Sequence, residues 1–271
     1  MSQAYGKLSN SESAYTQRTP QGAPTGASSG AGGKSHMFQI NFYRVYFDLD
    51  SDTFFYKIQR ALNPFATFGE PDEEEHSNEP AELYGFFWIT GTLIFLMFVS
   101  STGSNLLSQW LYGDKEKKKY EYSFDLLTKS ISLFYGYNIL GPGLLYLITR
   151  FVYKFPYGLS LSRVISIYGY TNVLWFPITF INVLIVILIN NKNHHLMLNL
   201  FEWIIVLISG FVTGLSNLAK LTPIIKKNTL VIHEGDRTAG KRMYFTIVGA
   251  LAIAHLLFTI LVKVSFFGIK V

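Results

Sequence analysis

Three ionisable side chains, Glu202, His255 and Lys263, fall inside otherwise apolar stretches of the chain. At membrane depth such groups are costly, and they tend to be kept for a task such as relaying protons or holding an ion. His255 lies nearest the middle of its stretch and reads as a hydrogen-bond partner for a neighbouring helix rather than a proton relay. Glu202 lies roughly 9 Å into its stretch at the helical rise per residue, which is headgroup depth. Lys263 sits near the end of its own stretch, where a long side chain snorkels to water.

No catalytic set gathers around these three. His194 and His195 are adjacent, the wrong spacing for one metal-binding face of a helix. Glu234-Gly235-Asp236 belongs to a charged loop, and no paired membrane carboxylates stand ready for acid–base work. The chain has no cysteine, which removes disulfides, thiolate metal sites and a thiol nucleophile together. Gly33-Lys34-Ser35 imitates the end of a phosphate-binding loop, but the first glycine of that pattern falls on Ser28 and no apolar strand precedes it. The expectation is a protein with no catalytic, cofactor-binding or metal-binding residues, and not an enzyme.

The elements that carry these residues read as membrane helices. Apolar residues make up 49% of the chain and charged ones 15%, and the apolar ones come in blocks close to the roughly 20 residues that cross a hydrocarbon core. Five blocks are expected to span: Leu83 to about Ser101, Ser130–Thr149, Val164–Ile189, about Leu196–Ala219, and Met243 to about Phe267. The 23 Phe and 17 Tyr suit membrane–water interfaces. The fold class is thus an all-α membrane protein, a bundle of about five transmembrane helices. Gly210 and Gly214 form a GxxxG in the fourth span, with Ala250 and Ala254 similarly spaced in the fifth. Small residues so placed let two backbones approach closely, within one chain or between two. Tyr135-Gly136-Tyr137 and Tyr168-Gly169-Tyr170, each followed by a proline (Pro142, Pro177), predict bent helices in a compact bundle.

Ahead of the spans the chain changes character twice. Residues 1–36 are rich in Gly, Ser, Ala, Thr, Gln and Pro, and read as a disordered tail. They lack the apolar core of a signal peptide, so insertion is expected to begin at the first span. Residues 37–82 form an aromatic and amphipathic segment. Asp50-Ser51-Asp52 could cap a short helix, along which Phe54, Ile58 and Leu62 recur at helical spacing until Pro64. Such a helix either lies on the membrane or a partner, or packs under the membrane domain. An acidic linker with Glu70, Asp72, Glu73, Glu74, Glu75 and Glu79 follows, and residues 83–271 make up the membrane domain. Most Lys and Arg fall on the N-terminal side of the spans, with Lys115–Lys119 as the main cluster opposite. The expected topology is a cytosolic N-terminus and a lumenal C-terminus. The modest net charge of +5 reads as topology and lipid headgroup contact, not as a nucleic-acid surface.

Two motifs give a family resemblance. Glu82-Leu83-Tyr84-Gly85-Phe86 opens the first span and Tyr168-Gly169-Tyr170 lies in the third, followed by Asn172, Trp175 and Pro177. The sequence resembles the Yip family, five-span proteins of the early secretory pathway with an Asp-Leu-Tyr-Gly-Pro motif at the first span and Tyr-Gly-Tyr in the third. The aromatic approach from Phe42-Tyr43 through Phe47-Asp48-Leu49-Asp50 is similar to its Golgi subgroup, the fungal fifth Yip and animal Yip-domain members one and two. Glu82 keeps the charge of the family aspartate, whereas Phe86 replaces proline and loses its fixed backbone angle. The resemblance implies a Golgi membrane protein, or one cycling through the ER, that serves vesicle-mediated transport. Its implied partners are prenylated Rab/Ypt GTPases, sibling Yip-family proteins and the bilayer, with no cofactor. Its implied interaction residues are Glu82, Leu83, Tyr84, Gly85, Tyr168, Gly169 and Tyr170. A small transporter or channel is the alternative, and a lipid-modifying membrane enzyme a more distant one.

Overall fold

The computed structural model describes residues 39–44, 46–63, 81–112, 124–181 and 195–267. The expected disordered tail, the acidic run, the Lys115–Lys119 cluster, His194 and the last residues of the third expected span lie outside these. Among the described residues all regular structure is helical. A short α1 (Ile40–Arg44) and the amphipathic α2 (Ser51–Leu62) precede α3 (Tyr84–Tyr112). Then come α4 (Phe124–Leu147), α5 (Leu161–Thr171), α6 (His195–Ile232) and α7 (Arg237–Phe267). Among the described residues four segments are long and apolar enough to cross a membrane: Phe124–Val152, Leu161–Ile181, Asn199–Ile232 and Arg237–Phe266. The first expected span falls on α3, whose apolar part Tyr84–Ser100 is shorter. The chain is an all-α, multi-pass membrane protein.

Several helices overrun the apolar blocks that mark them. The fourth block ends near Ala219, yet α6 continues unbroken to Ile232 with Pro223 inside it. Hydropathy marks where lipid stops, not where backbone hydrogen bonding stops, and α6 extends because α7 packs along it. These two form the most extensively packed pair of elements described. Their turn is short. Gly235 supplies a positive φ of 104°, a conformation that costs glycine little. Asp236 then caps α7, accepting N–H bonds from Thr238 (3.0 Å) and Ala239 (3.1 Å).

The glycine notch of α6 faces α7 of the same chain. A Cβ on Gly210 would meet Thr259 and one on Gly214 would meet His255. Ala250 and Ala254, the expected counterparts, are exposed instead. Larger polar side chains fill the notch because each finds a partner there. His255 Nε2 donates to the Gly210 carbonyl (2.9 Å), and Nδ1 accepts from the Tyr137 hydroxyl (2.8 Å). This bonding fixes the neutral tautomer and ties α4 to the α6–α7 pair.

Lys263 does not snorkel. It is fully buried and donates to Glu202 Oε2 at 3.0 Å and to Asn199 Oδ1 at 3.1 Å. Read separately, the two charges belong at headgroup level. The antiparallel pairing of α6 and α7 brings the start of one beside the end of the other, so each charge neutralises its partner.

Proline and hydroxyl groups disturb two helices locally. Pro177 lacks an N–H and its ring crowds the carbonyl four residues back, and the chain just before it tightens into a 3-10 turn, Asn172–Trp175. At the end of α4 a π turn, Ile148–Val152, appears where Thr149 Oγ1 bonds back to the Leu145 and Tyr146 carbonyls. Lys154 closes that turn with φ 49°, while the Phe155 N–H donates to the Thr149 carbonyl, the pattern of a helix C-terminus.

Two outcomes follow for the α6–α7 hairpin. Glu202→Gln strands a buried cation and should lower stability in detergent by about 3–5 kcal/mol, most of which returns in a Glu202→Leu/Lys263→Met double variant. Thermal unfolding of the three proteins measures both. The N–H bonds from Ala239 and Thr238 hold the Asp236 carboxyl below its ordinary value of 3.8. Its contribution to the α7 start is therefore complete above that value and is lost as pH falls past the lowered one. Protection of the Thr238 and Ala239 amides, measured against the intrinsic exchange rate at each pH, should fall on that acidification, and earlier loss would contradict the cap.

Candidate functional site

At 100° per residue, three successive helical positions point in three directions. In Tyr168-Gly169-Tyr170 the middle one meets α3. A Cβ on Gly169 would come within 2.4 Å of Phe86 Cα and 2.6 Å of its backbone nitrogen. Nothing but glycine fits where one backbone rests on another. Tyr170 turns to one side and lies over Gly85, whose own added Cβ would meet the ring at 2.6 Å. Tyr168 turns to the other side, into a core with Leu145, Ile167, Leu221 and Ile247. The two sequence motifs thus interlock, each supplying a glycine to the other.

The second Tyr-Gly-Tyr behaves differently. Tyr135 donates its hydroxyl to the Phe87 carbonyl at 2.8 Å and packs edge-on against Phe86, while Tyr137 stacks on Phe258 at 4.0 Å. Gly136 between them meets nothing. The shared spelling hides one tight contact and one open position.

Glu82 organises the start of α3. Its Oε2 accepts the Tyr84 N–H at 2.9 Å, satisfying a donor that the first helical turn leaves free. Its Oε1 accepts from Lys57 Nζ at 2.8 Å, with Ser166 Oγ at 3.5 Å. Glu82 is 7% exposed, so the α2 lysine neutralises a carboxylate shielded from water. Backbone bonds brace the same stretch, from Leu83 N–H to the Tyr46 carbonyl (2.8 Å) and from Ala81 N–H to Ser162 Oγ (3.0 Å).

These contacts settle where α2 lies. Phe54 sets its ring edge-on to Tyr84 at 5.3 Å and tilted to Tyr170 at 6.0 Å. Ala61 is buried with Ile89 and Tyr170, and Ile58 packs alongside. The packed face is therefore Phe54, Ile58 and Ala61, while Leu62 is exposed. The Ala61 carbonyl accepts from Ser216 Oγ at 2.9 Å, and Lys220 reaches the same serine. Lys220, one residue past the expected end of the fourth span, is buried inside α6, near the carbonyl end of α2 that favours a cation.

Of the residues picked out from sequence, Glu82, Tyr84, Gly85, Gly169 and Tyr170 meet at one place. Leu83 turns toward a neighbouring cavity, and Tyr168 faces the core. Gly210 and Gly214 belong to the α6–α7 packing. Deeper in the bundle, Asn172 Nδ2 donates to Thr90 Oγ1 at 2.9 Å and Asn138 approaches it at 3.4 Å. Lys57 and Phe54 are the junction residues that the motifs do not announce. Their one sequence signal is a cation and an aromatic three residues apart on the helix ahead of an isolated acid.

Protein YIP5 of Saccharomyces cerevisiae is 30% identical over 148 residues, 51% of this chain and 46% of its own length. The YIPF1 homolog of Dictyostelium discoideum is 25% identical over 237 residues, 87% of this chain and 58% of its own. These relatives support membership of the Yip family. It spans about half the length of these curated relatives. No family model matches the sequence, and no solved structure matches it. Within the Yip assignment, the junction explains why glycine stands in both motifs and why an acid opens the first.

Two substitutions separate the contacts. Gly169→Ala collides with backbone and should destabilise the protein by about 1–3 kcal/mol, with no rescue from Phe86→Ala. Gly85→Ala collides with a ring, so Tyr170→Ala should restore part of its loss. Thermal unfolding in detergent reads all four variants, and equal rescue in both pairs would refute the backbone contact.

Proposed function

We infer that this protein is an integral membrane factor of vesicle-mediated transport in Golgi or ER–Golgi membranes, within the family's Golgi subgroup. Its N-terminal face receives prenylated Rab/Ypt GTPases, and it assembles with sibling members of the family. The observation that carries this reading is the two-faced seating of α2. One face is fastened to the motif junction by the Lys57–Glu82 pair and by Phe54. The other presents Phe55, 66% exposed, and Tyr56, 47% exposed. Aromatic side chains on a rigid helix are effective anchors for a partner protein, and here the anchor is clamped to the family's own motifs.

The excess of Lys and Arg on this side of the spans supports a cytosolic N-terminus, where GTPases reside. The polar side chains at membrane depth weigh against a conduit. Glu202, Lys263, His255, Asn172 and Thr90 all bond to neighbouring helices. A non-enzymatic binding protein fits these features better than a transporter or a lipid-modifying enzyme.

The test is co-purification of the detergent-solubilised protein with a panel of Rab GTPases, each prenylated and unprenylated. Prenylated forms should be recovered selectively. A Phe55→Asp/Tyr56→Asp variant of unchanged thermal stability should lose recovery by at least about tenfold, the scale of an anchor residue. Equal recovery with that variant, or none with the wild type, would remove GTPase docking on α2.

A further inference from the structure

A cavity of about 890 Å³ opens where three membrane segments end. Leu83 and Phe87 from the first turn of α3 line it, with Leu159 and Ile165 from the start of α5 and the loop before it. Arg150, on the π turn that closes α4, lines it as well. Tyr43, Tyr46 and Phe47 of the segment before α2 wall it on another side, and the ends of spanning segments fall near headgroup level, within reach of interfacial lipid. Its volume falls within the range of small-molecule sites, roughly 300–1,000 Å³.

Arg150 is the distinguishing feature. It is exposed, and among the described residues no hydrogen bond or ion pair engages it. The π turn adds a residue to its helical turn, which rotates the arginine off the register of regular α4. Such turns concentrate at functional positions. Ser160 and Ser162 add hydroxyls to the same cavity, bonded to each other at 2.9 Å. The wall opposite them is firm. Phe155 and Leu159 are buried against Leu221 and Ile225 of α6. The Tyr157 N–H donates to Asn228 Oδ1 at 2.9 Å, with Lys227 over the Tyr157 ring at 4.5 Å.

An apolar cavity with one uncommitted guanidinium, at headgroup depth, calls for a ligand with a hydrocarbon part and an anionic head. We propose that this cavity is a binding site for one anionic glycerophospholipid of the surrounding leaflet. Arg150 holds its phosphate and the apolar walls hold the upper part of an acyl chain. Guanidinium and phosphate match as a planar donor fork and a multi-oxygen acceptor. A net negative headgroup is preferred over a zwitterionic one because choline brings a cation beside Arg150 with no second anion to offset it, whereas the serine headgroup adds a carboxylate to its ammonium.

The experiment uses the full chain in detergent, equilibrated with equal amounts of phosphatidylserine and phosphatidylcholine and then washed. Mass spectrometry quantifies the retained lipid. Phosphatidylserine should be retained roughly tenfold over phosphatidylcholine, the scale of a charge-assisted bond. Arg150→Gln should abolish the preference at unchanged thermal stability. Lys241→Gln, an exposed cation at the start of α7, should preserve it. Absence of preference in the wild type, or a preference that survives Arg150→Gln, overturns the proposal. So does equal displacement of the lipid from wild type and Arg150→Gln by a neutral geranylgeranyl-cysteine methyl ester, since the site would then serve an apolar chain alone. No GTPase takes part, so the result stands apart from the docking reading.

Discussion

Inside a bilayer, two helices gain nothing by hiding apolar surface from water, and their association rests on how closely they pack. The approach of α5 to α3 at Gly169 and Phe86 is the contact on which the rest of the N-terminal face is built. It brings Tyr170 over Gly85 and places the start of α3 beside α5, with Ser166 near Glu82. Glu82, shielded there, draws Lys57 across from α2. A missing side chain in one helix thereby decides where a separate amphipathic helix sits.

The same economy governs the polar groups. Buried charge and amide are matched between helices: Glu202 with Lys263, His255 with Tyr137 and a helix carbonyl, Asn172 with Thr90. Each bond joins two helices rather than two turns of one. An unsatisfied donor in hydrocarbon costs several kcal/mol, so these pairs fix register as firmly as the glycines fix distance. Lys220 uses a gentler version, resting on a serine next to the carbonyl end of α2.

Much of this was legible in the residues. Apolar blocks marked the spans, Phe54 and Ile58 marked the packed face of α2, and the motif glycines lie at close contacts, Gly169 against a backbone and Gly85 under a ring. The pairing of Glu202 with Lys263 was not legible, because two charges 61 positions apart say nothing of each other until α6 and α7 are known to be antiparallel. Spacing alone suggested alanines opposite Gly210 and Gly214, yet His255 and Thr259 took those places because each could also bond to the backbone. Gly136 and Gly169 share a local sequence, and only the neighbouring helix distinguishes them. The interlock of the motifs is likewise a product of topology, which no local pattern contains.

The length of α6 has a further effect. Its 38 residues measure roughly 57 Å at the helical rise per residue, against roughly 30 Å of hydrocarbon. The excess is not loose chain, because α7 runs beside it and the loop from Phe155 to Leu159 leans on it. What lies past the apolar block, with exposed Lys226 and Lys227, therefore leaves the hydrocarbon as a rigid helix and not as a loop, and α6 carries its polar end at a fixed height above the lipid.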